Sequence, residues 1–269
     1  MALKPANLSG QTNRFSWFRR ILRIAGTGAL FAIFGVGGIL LATVVIPLSS
    51  RSGAPDETLV AQRWIQRALE RYLSLGTRMG LWQIESEGTE QLRRPGQLVI
   101  ANHPTLLDVV LLLAHMPQAD CVVKKSAWSN PGLRRIVTIA GYIPNDGGVN
   151  VLEQCAHRLD AGRSVILFPE GSRSPASGLH PFQRGAAQLA IETGCPVRPV
   201  HLQCDPPALR KGQPWYALPP EVLHFSLRVS DALHANDYID CAAPRSIAAR
   251  RFTKKIYDRF DLELRHANA

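Results

Sequence analysis

His103 and Asp108 stand five positions apart in LVIANHPTLLDVV, Leu98–Val110, where one apolar run hands over to another. A histidine held by a carboxylate is a recurrent general base, because the Asp fixes the imidazole tautomer and stabilises the imidazolium. Such a base can activate a serine of its own chain or a hydroxyl brought by a substrate. The serine route needs a nucleophile on a sharp turn, and the chain has no GxSxG. Ser172 and Ser174, in EGSRS, lack that frame. The pair is therefore expected to work on a substrate hydroxyl.

Spacing alone does not decide the matter, because His115 and Asp120, in HMPQAD, repeat it. In a continuous helix, residues five apart point about 140° away from each other, so a pair meets only if one member lies outside the helix. His103 satisfies that condition: it follows a strand-like run and precedes Pro104, which disfavours helix before it and suits a first helical position. Asp108 then falls near the first turn. His115 closes a helix-like run ahead of Pro117 and reads as a C-terminal cap or surface residue.

A second stretch, VILFPEGSRS (Val165–Ser174), ends a buried strand at Phe168, stops it with Pro169 and opens a loop. Gly171 lets backbone N–H groups approach an anion, and Arg173 can hold phosphate in a bidentate way. Glu170 can accept from a substrate hydroxyl or orient an arginine.

The elements that must position these groups alternate. Strand-like runs are Leu98–Ala101, Cys121–Val123, Val165–Phe168, Pro196–Leu202 and Val222–Val229. Helix-like runs are Leu106–His115, Val149–Ala161, Ala186–Thr193 and Pro244–Leu264. That alternation predicts an α/β domain, a central mostly parallel or mixed sheet covered by helices. Leu106, Leu107, Leu111 and Leu112 are expected to pack the core rather than line an acyl groove.

Upstream, residues 24–50 carry no charge, more than the 18 or so apolar residues that mark a membrane helix. A basic, aromatic flank precedes them: Arg14, Arg19, Arg20 and Arg23 among Phe15, Trp17, Phe18, Ile21 and Leu22. The expected plan is a disordered terminus at 1–13, a membrane-inserted helix or a helical hairpin turning at Gly35, Gly37 and Gly38 at 14–48, a linker and amphipathic helix at 49–79, and the catalytic domain at 80–269. The amphipathic stretch sets Trp64, Ile65, Tyr72 and Leu73 against Arg63, Arg67, Arg71 and Arg78, and fits either an anionic bilayer or the face of the domain.

The bulk properties agree with a lipid-facing protein. Of 269 residues 46% are apolar, and 31 Lys+Arg against 21 Asp+Glu leave a net charge of +10, which favours an anionic partner. Nucleic acid is disfavoured, because the basic residues gather at membrane-like segments without a stacking motif. The five cysteines, Cys121, Cys155, Cys195, Cys204 and Cys241, are odd in number and show no CxxC, which argues against a disulfide framework and a zinc site.

NHPTLLD and FPEGSRS together resemble the signature blocks of the lysophospholipid acyltransferase family, which includes the 1-acylglycerol-3-phosphate acyltransferases. That family's pattern is a His and an Asp separated by four residues, then Phe-Pro-Glu-Gly-Thr/Ser-Arg. FQRGAA (Phe182–Ala187), PVRPV (Pro196–Val200) and the basic pair Lys124 and Lys125 are similar to further family features. The likeness covers about residues 80–230. It implies a glycerol-3-phosphate acyltransferase-like fold and transfer of a fatty acyl group from acyl-CoA or acyl carrier protein to a lysophospholipid. In the roles it implies, His103 is the base, Asp108 orients it, and Glu170, Gly171, Ser172, Arg173, Lys124, Lys125 and Arg184 bind substrate. No metal or cofactor is implied. The implied setting is the inner (cytoplasmic) membrane with the catalytic domain on its cytoplasmic face, in phospholipid biosynthesis.

One block departs from the pattern. GYIPND (Gly141–Asp146) lacks the arginine that many relatives carry there, where it is implicated in the acceptor phosphate. The acceptor could then be a lyso-ornithine lipid or an aryl polyene lipid core, unless Lys124, Lys125 or Arg184 supplies the charge. A lipid hydrolase or thioesterase, and a non-catalytic, membrane-tethered lipid-binding relative, are the rival classes.

Overall fold

The structure, a computed structural model, describes residues 9–50, 56–145, 150–238 and 244–267. Residues 1–8 and 51–55, Asp146 and Cys241 lie outside the described residues. The chain opens with α1 (Ser9–Leu40), a wider π-helical turn (Leu41–Val45) and α2 (Ile46–Ser50). It continues with α3 (Glu57–Arg78), β1 (Trp82–Glu87), a 3-10 turn (Thr89–Arg93), β2 (Leu98–Ala101) and α4 (Asp108–His115). Then come β3 (Asp120–Lys124), α5 (Ser126–Ser129), α6 (Pro131–Ile139), β4 (Ile143–Asn145), α7 (Asn150–Asp160) and β5 (Val165–Leu167). The last elements are α8 (Gly185–Thr193), β6 (Val197–Asp205), β7 (Leu223–Val229) and α9 (Arg245–Ala267).

The strands form one sheet of seven in the order β1-β7-β6-β2-β5-β3-β4. Every pairing is parallel except β6 with β7, so the sheet is mixed, as the alternation of runs implied. Strand β2 lies at its centre, and all four of its residues are buried. The pleat sends Val99 and Ala101 into one core layer and Leu98 and Ile100 into the other. The first layer is closed by α3 and α4 through Tyr72, Leu73, Val110, Leu111 and Leu112. The second is closed by α7, α8 and α9 through Cys155, Leu189, Phe252 and Phe260. A strand covered on both faces must be apolar throughout, and LVIA is.

One sequence expectation changes here, and two alternatives left open by the sequence are decided. Residues 9–13, expected to be disordered, belong to α1. The N-terminal segment is a continuous helix, not a hairpin: it runs straight through Gly35, Gly37 and Gly38, whose Cα atoms face open space. Its only irregularity is the widened turn, where Ile46 N–H bonds Leu41 O just before Pro47, which has no N–H to give. Third, α3 packs on the domain: Ala61, Gln62, Ile65, Tyr72, Leu73 and Gly76 are buried while Arg63, Arg67, Arg71 and Arg78 stay exposed. Within that face Gln62 ties Ala119 N, Ala140 O and Asp120, and Asp120 also receives two bonds from Arg163.

The helix from Arg20 to Ser49 is long and apolar enough to cross a membrane, by length and composition. One of its stripes is committed to the domain, with Thr27, Leu30, Ala42 and Ile46 buried and Phe31 and Phe34 against the rings of Trp215 and Tyr72. The other stripe exposes Ile21, Leu22, Ile33, Val36, Ile39, Leu40, Val44 and Leu48.

Buried His201 on β6 sets a pH dependence. Its ring lies against Phe260 and neither nitrogen has a hydrogen-bond partner. Burial, then Arg259 and Arg228, push its pKa down to about 4 from 6.5. The unfolded chain takes up the proton first on acidification, so this contribution to stability is full above pH 6.5 and is lost as pH falls toward 4. Between pH 6.5 and 5 the loss is expected to be about 2 kcal/mol. Urea unfolding of the unmodified chain and of His201→Phe at both pH values checks this: the difference between the two slopes with pH should vanish if His201 is not its source.

Candidate functional site

Strands β6, β2, β5, β3 and β4 run in the same direction, so their C-terminal ends open on one edge of the sheet. In open α/β sheets that edge is where ligands bind. His103 leaves it from β2, residues 169–174 from β5, Lys124 and Lys125 from β3, and residues 206–222 from β6.

The turn after β2 makes the pair. Asn102 anchors the strand end, its side chain giving to Leu202 O and accepting from Leu202 N, each at 2.8 Å. His103 then departs from strand geometry and α4 does not begin until Asp108, which brings the two side chains face to face. His103 Nδ1 lies 2.7 Å from Asp108 Oδ2. Asp108 is 1% exposed, and Thr105 also gives it a backbone N–H at 2.7 Å and a hydroxyl at 2.5 Å. Burial pushes the Asp108 carboxyl up, while the bonds from His103 and Thr105 pull it back. With Nδ1–H given to Asp108, Nε2 is the acceptor nitrogen. It has no protein partner among the described residues. Phe168 stacks on the imidazole with ring centroids 4.3 Å apart.

His115 and Asp120 do not pair. His115 Nδ1 bonds Leu111 O at 2.9 Å, capping α4, and Asp120 is the buried partner of Arg163. The same spacing yields a pair at the strand-to-helix turn after β2, whereas at the helix-to-strand turn between α4 and β3 each residue has a partner of its own.

The β5 loop stands behind His103. Glu170 is buried and both its oxygens are taken: Oε1 by His103 N at 3.1 Å and Ser174 Oγ at 2.5 Å, Oε2 by His180 N at 2.8 Å. Ser174 N–H in turn reaches His103 O at 2.7 Å. Glu170 therefore faces the protein, where the sequence suggested a substrate hydroxyl. Gly171 N–H is likewise closed on Phe168 O at 3.0 Å. The residue has φ +67°, a left-handed conformation that favours glycine, and a side chain there would also have to displace the amide end of Gln183. Ser172 and Ser174 do not touch the imidazole nitrogens: Ser172 Oγ gives to Arg173 O, and Ser174 Oγ gives to Glu170. No serine nucleophile stands beside His103 among these bonds.

Arg173 Nη1 gives a bond to Leu209 O at 3.1 Å, which leaves the rest of its guanidinium fork for another acceptor. Lys124 and Lys125 are exposed at the end of β3, two strand spacings or about 10 Å along the edge from β2. Arg184 is exposed at the start of α8, next to Gln183, whose N–H bonds Pro169 O. No hydrogen bond or ion pair joins Lys124 or Arg184 to the pair. Leu107, Leu111 and Leu112 are core residues, while Leu106 is exposed at the rim. The N–H groups of Thr105, Leu106 and Leu107, first candidates for oxyanion donors, are committed to Asp108, Leu209 O and Thr105 Oγ1. Among the described residues no three His, Cys, Asp or Glu side chains gather to hold a metal ion.

Sequence reasoning passed over Thr105, Asn102 and the loop at 206–222. Thr105 had a readable signal, a hydroxyl three positions ahead of an Asp at a helix start. The loop had none, since only the direction of β6 brings it to this edge.

Residues 83–203 match the family model described as Acyltransferase. A chloroplastic 1-acyl-sn-glycerol-3-phosphate acyltransferase of Brassica napus is 32% identical over 108 residues, 38% of this chain and 31% of that protein. A 1-acyl-sn-glycerol-3-phosphate acyltransferase of Helicobacter pylori is 32% identical over 113 residues, 39% of this chain and 48% of that one. The matches thus span less than half the length of these curated relatives. The crystal structure of the 1-acyl-sn-glycerophosphate (LPA) acyltransferase PlsC from Thermotoga maritima superposes with a TM-score of 0.72, covering 94% of this chain and 98% of that one. At 19% identity that likeness is one of fold.

Proposed function

We propose that this chain, whose residues 83–203 match the Acyltransferase family model, is a lysophospholipid acyltransferase: an O-acyltransferase that moves a fatty acyl group from an acyl thioester to the hydroxyl of a lysophospholipid such as 1-acylglycerol-3-phosphate. The observation that carries the reading is the 2.7 Å contact between His103 Nδ1 and buried Asp108, which leaves Nε2 as a base at the open edge of the sheet.

His103 Nε2 takes the proton from the lipid hydroxyl as its oxygen attacks the thioester carbonyl carbon. The C–S bond breaks, and the departing thiolate recovers that proton from Nε2. The Nδ1 proton stays on His103, donated in a hydrogen bond to the Asp108 carboxylate, which stabilises the imidazolium between the two transfers. No acyl-enzyme is needed, because holding alcohol and thioester in line makes direct transfer fast enough. The donor is an acyl-CoA or an acyl carrier protein. The outward apolar stripe of α1 seats the domain on the lipid surface that supplies the acceptor, on the cytoplasmic side where acyl thioesters are made.

Purified protein given a long-chain acyl-CoA, with and without 1-acylglycerol-3-phosphate, tests the reading. A diacyl product that appears only with the lysolipid is expected. Free fatty acid formed equally in both reactions means a hydrolase, and unchanged substrates mean a binding protein.

A further inference from the structure

The loop from β6 carries a cation to the mouth of this site. Lys211 is exposed, and its Nζ gives a 2.8 Å bond to Ser172 Oγ. Two residues earlier, Leu209 O accepts from both Arg173 Nη1 and Leu106 N, each at 3.1 Å. The loop is thereby fastened to the β5 loop on one side and to the turn after His103 on the other. Its far part is fixed as well: Gln213 braces Arg210 N and Ala217 O, and Trp215 packs on Phe31 of α1. Lys211 is thus held over the β5 loop rather than left loose on the surface. An ammonium has three donors and Ser172 occupies one, while no carboxylate pairs with Lys211 among the described residues. Arg173 presents the remainder of its fork from the same loop. The carboxylates of Asp108 and Glu170 are bonded to His103, Thr105, Ser174 and His180, and neither forms an ion pair with Lys211.

We infer that Lys211, brought to Ser172 by the loop after β6, is a further contact for the phosphomonoester of the acceptor lipid, beyond the Arg173 that the family resemblance already implies, and strengthens the enzyme's preference for a phosphorylated head group. The inference rests on the acyltransferase reading and deepens it. It also answers the missing arginine of Gly141–Asp146: the positive charge comes from the loop after β6. A phosphate seated there accepts from Nζ and from the guanidinium, which leaves the glycerol hydroxyl, a few bonds away, to reach His103 Nε2.

The test compares the unmodified chain, Lys211→Met, Lys211→Arg and His103→Ala with 1-acylglycerol-3-phosphate and with the phosphate-free monoacylglycerol as acceptors. Loss of one charged contact to phosphate is expected to raise KM for the phosphorylated lipid about tenfold in Lys211→Met, with kcat changed far less. The preference ratio between the two acceptors should collapse by about the same factor, inhibition by inorganic phosphate should weaken in parallel, and Lys211→Arg should restore most of both. An unchanged KM and preference in Lys211→Met, alongside an inactive His103→Ala, overturns the Lys211 assignment and leaves the acyltransferase reading standing. No transfer to either acceptor by the unmodified chain, or full activity in His103→Ala, overturns that reading and this inference with it.

Discussion

Replacing His103 with Ala is expected to lower kcat for acyl transfer by about a thousandfold or more, the upper part of the range for a lost general base. The fold should survive. The ring is one-fifth exposed and its packing partner is a single stacked ring, Phe168. The backbone bonds that fix the turn, from His103 N to Glu170 and from Ser174 N to His103 O, do not involve the side chain. Asp108 loses one partner but keeps both bonds from Thr105. The measurement is the steady-state rate with saturating acyl-CoA and lysolipid, together with a melting curve. A variant that melts like the unmodified chain and transfers acyl groups at a comparable rate would remove His103 from the mechanism. Retained binding of the lysolipid in the inactive variant would further show that chemistry and not recognition has been lost.

Glu170→Gln is expected to cut kcat about a hundredfold while KM for either substrate moves less than about threefold. The reason is the direction of its bonds. Three donors point at the Glu170 carboxyl: His103 N and Ser174 Oγ at one oxygen, His180 N at the other. Gln has one acceptor oxygen and one donor NH2, so one side of the site must face donor to donor. A buried donor without an acceptor costs about 1–3 kcal/mol, and the backbone of His103 relaxes to avoid that cost. Even a shift of about 1 Å at a catalytic base costs about a hundredfold. A substrate-binding Glu170, as the motif suggests, predicts the opposite split, with KM raised and kcat kept. The two parameters measured side by side decide between the roles, and a fall in melting temperature should accompany the positioning role.

How much of this was legible in the chain differs from element to element. The strand LVIA, the Pro after His103 and the helix that begins at Asp108 were readable, because local sterics and apolar patterning act over a few residues. So was the difference between the two His/Asp spacings. Strand β1 and helix α6 were not recognised: β1 has only Trp82 and Ile84 as apolar residues, α6 is a short helix of nine residues, and their partners, β7 and α1, are far away in the chain. The motif residues themselves were visible, but what Glu170, Gly171 and Arg173 point at was not. Residue type states what a side chain can bond, and packing states which bond it makes.

The sequence by itself determined the chemistry available: a His and an Asp at a strand-to-helix turn, an acidic and basic loop after a buried strand, and an apolar N-terminal helix. Those follow from residue types and from contacts within about one turn or one strand. Only the tertiary structure decided the assembly. Parallel pairing of β2, β5 and β6 brings three loops, separated by up to about a hundred residues, to one edge. It turns Glu170 inward to hold His103, and it sets Lys211 beside Ser172 where no motif placed it. Strand direction is set by long-range hydrogen bonding and shared core burial, and neither is written in any short stretch of sequence.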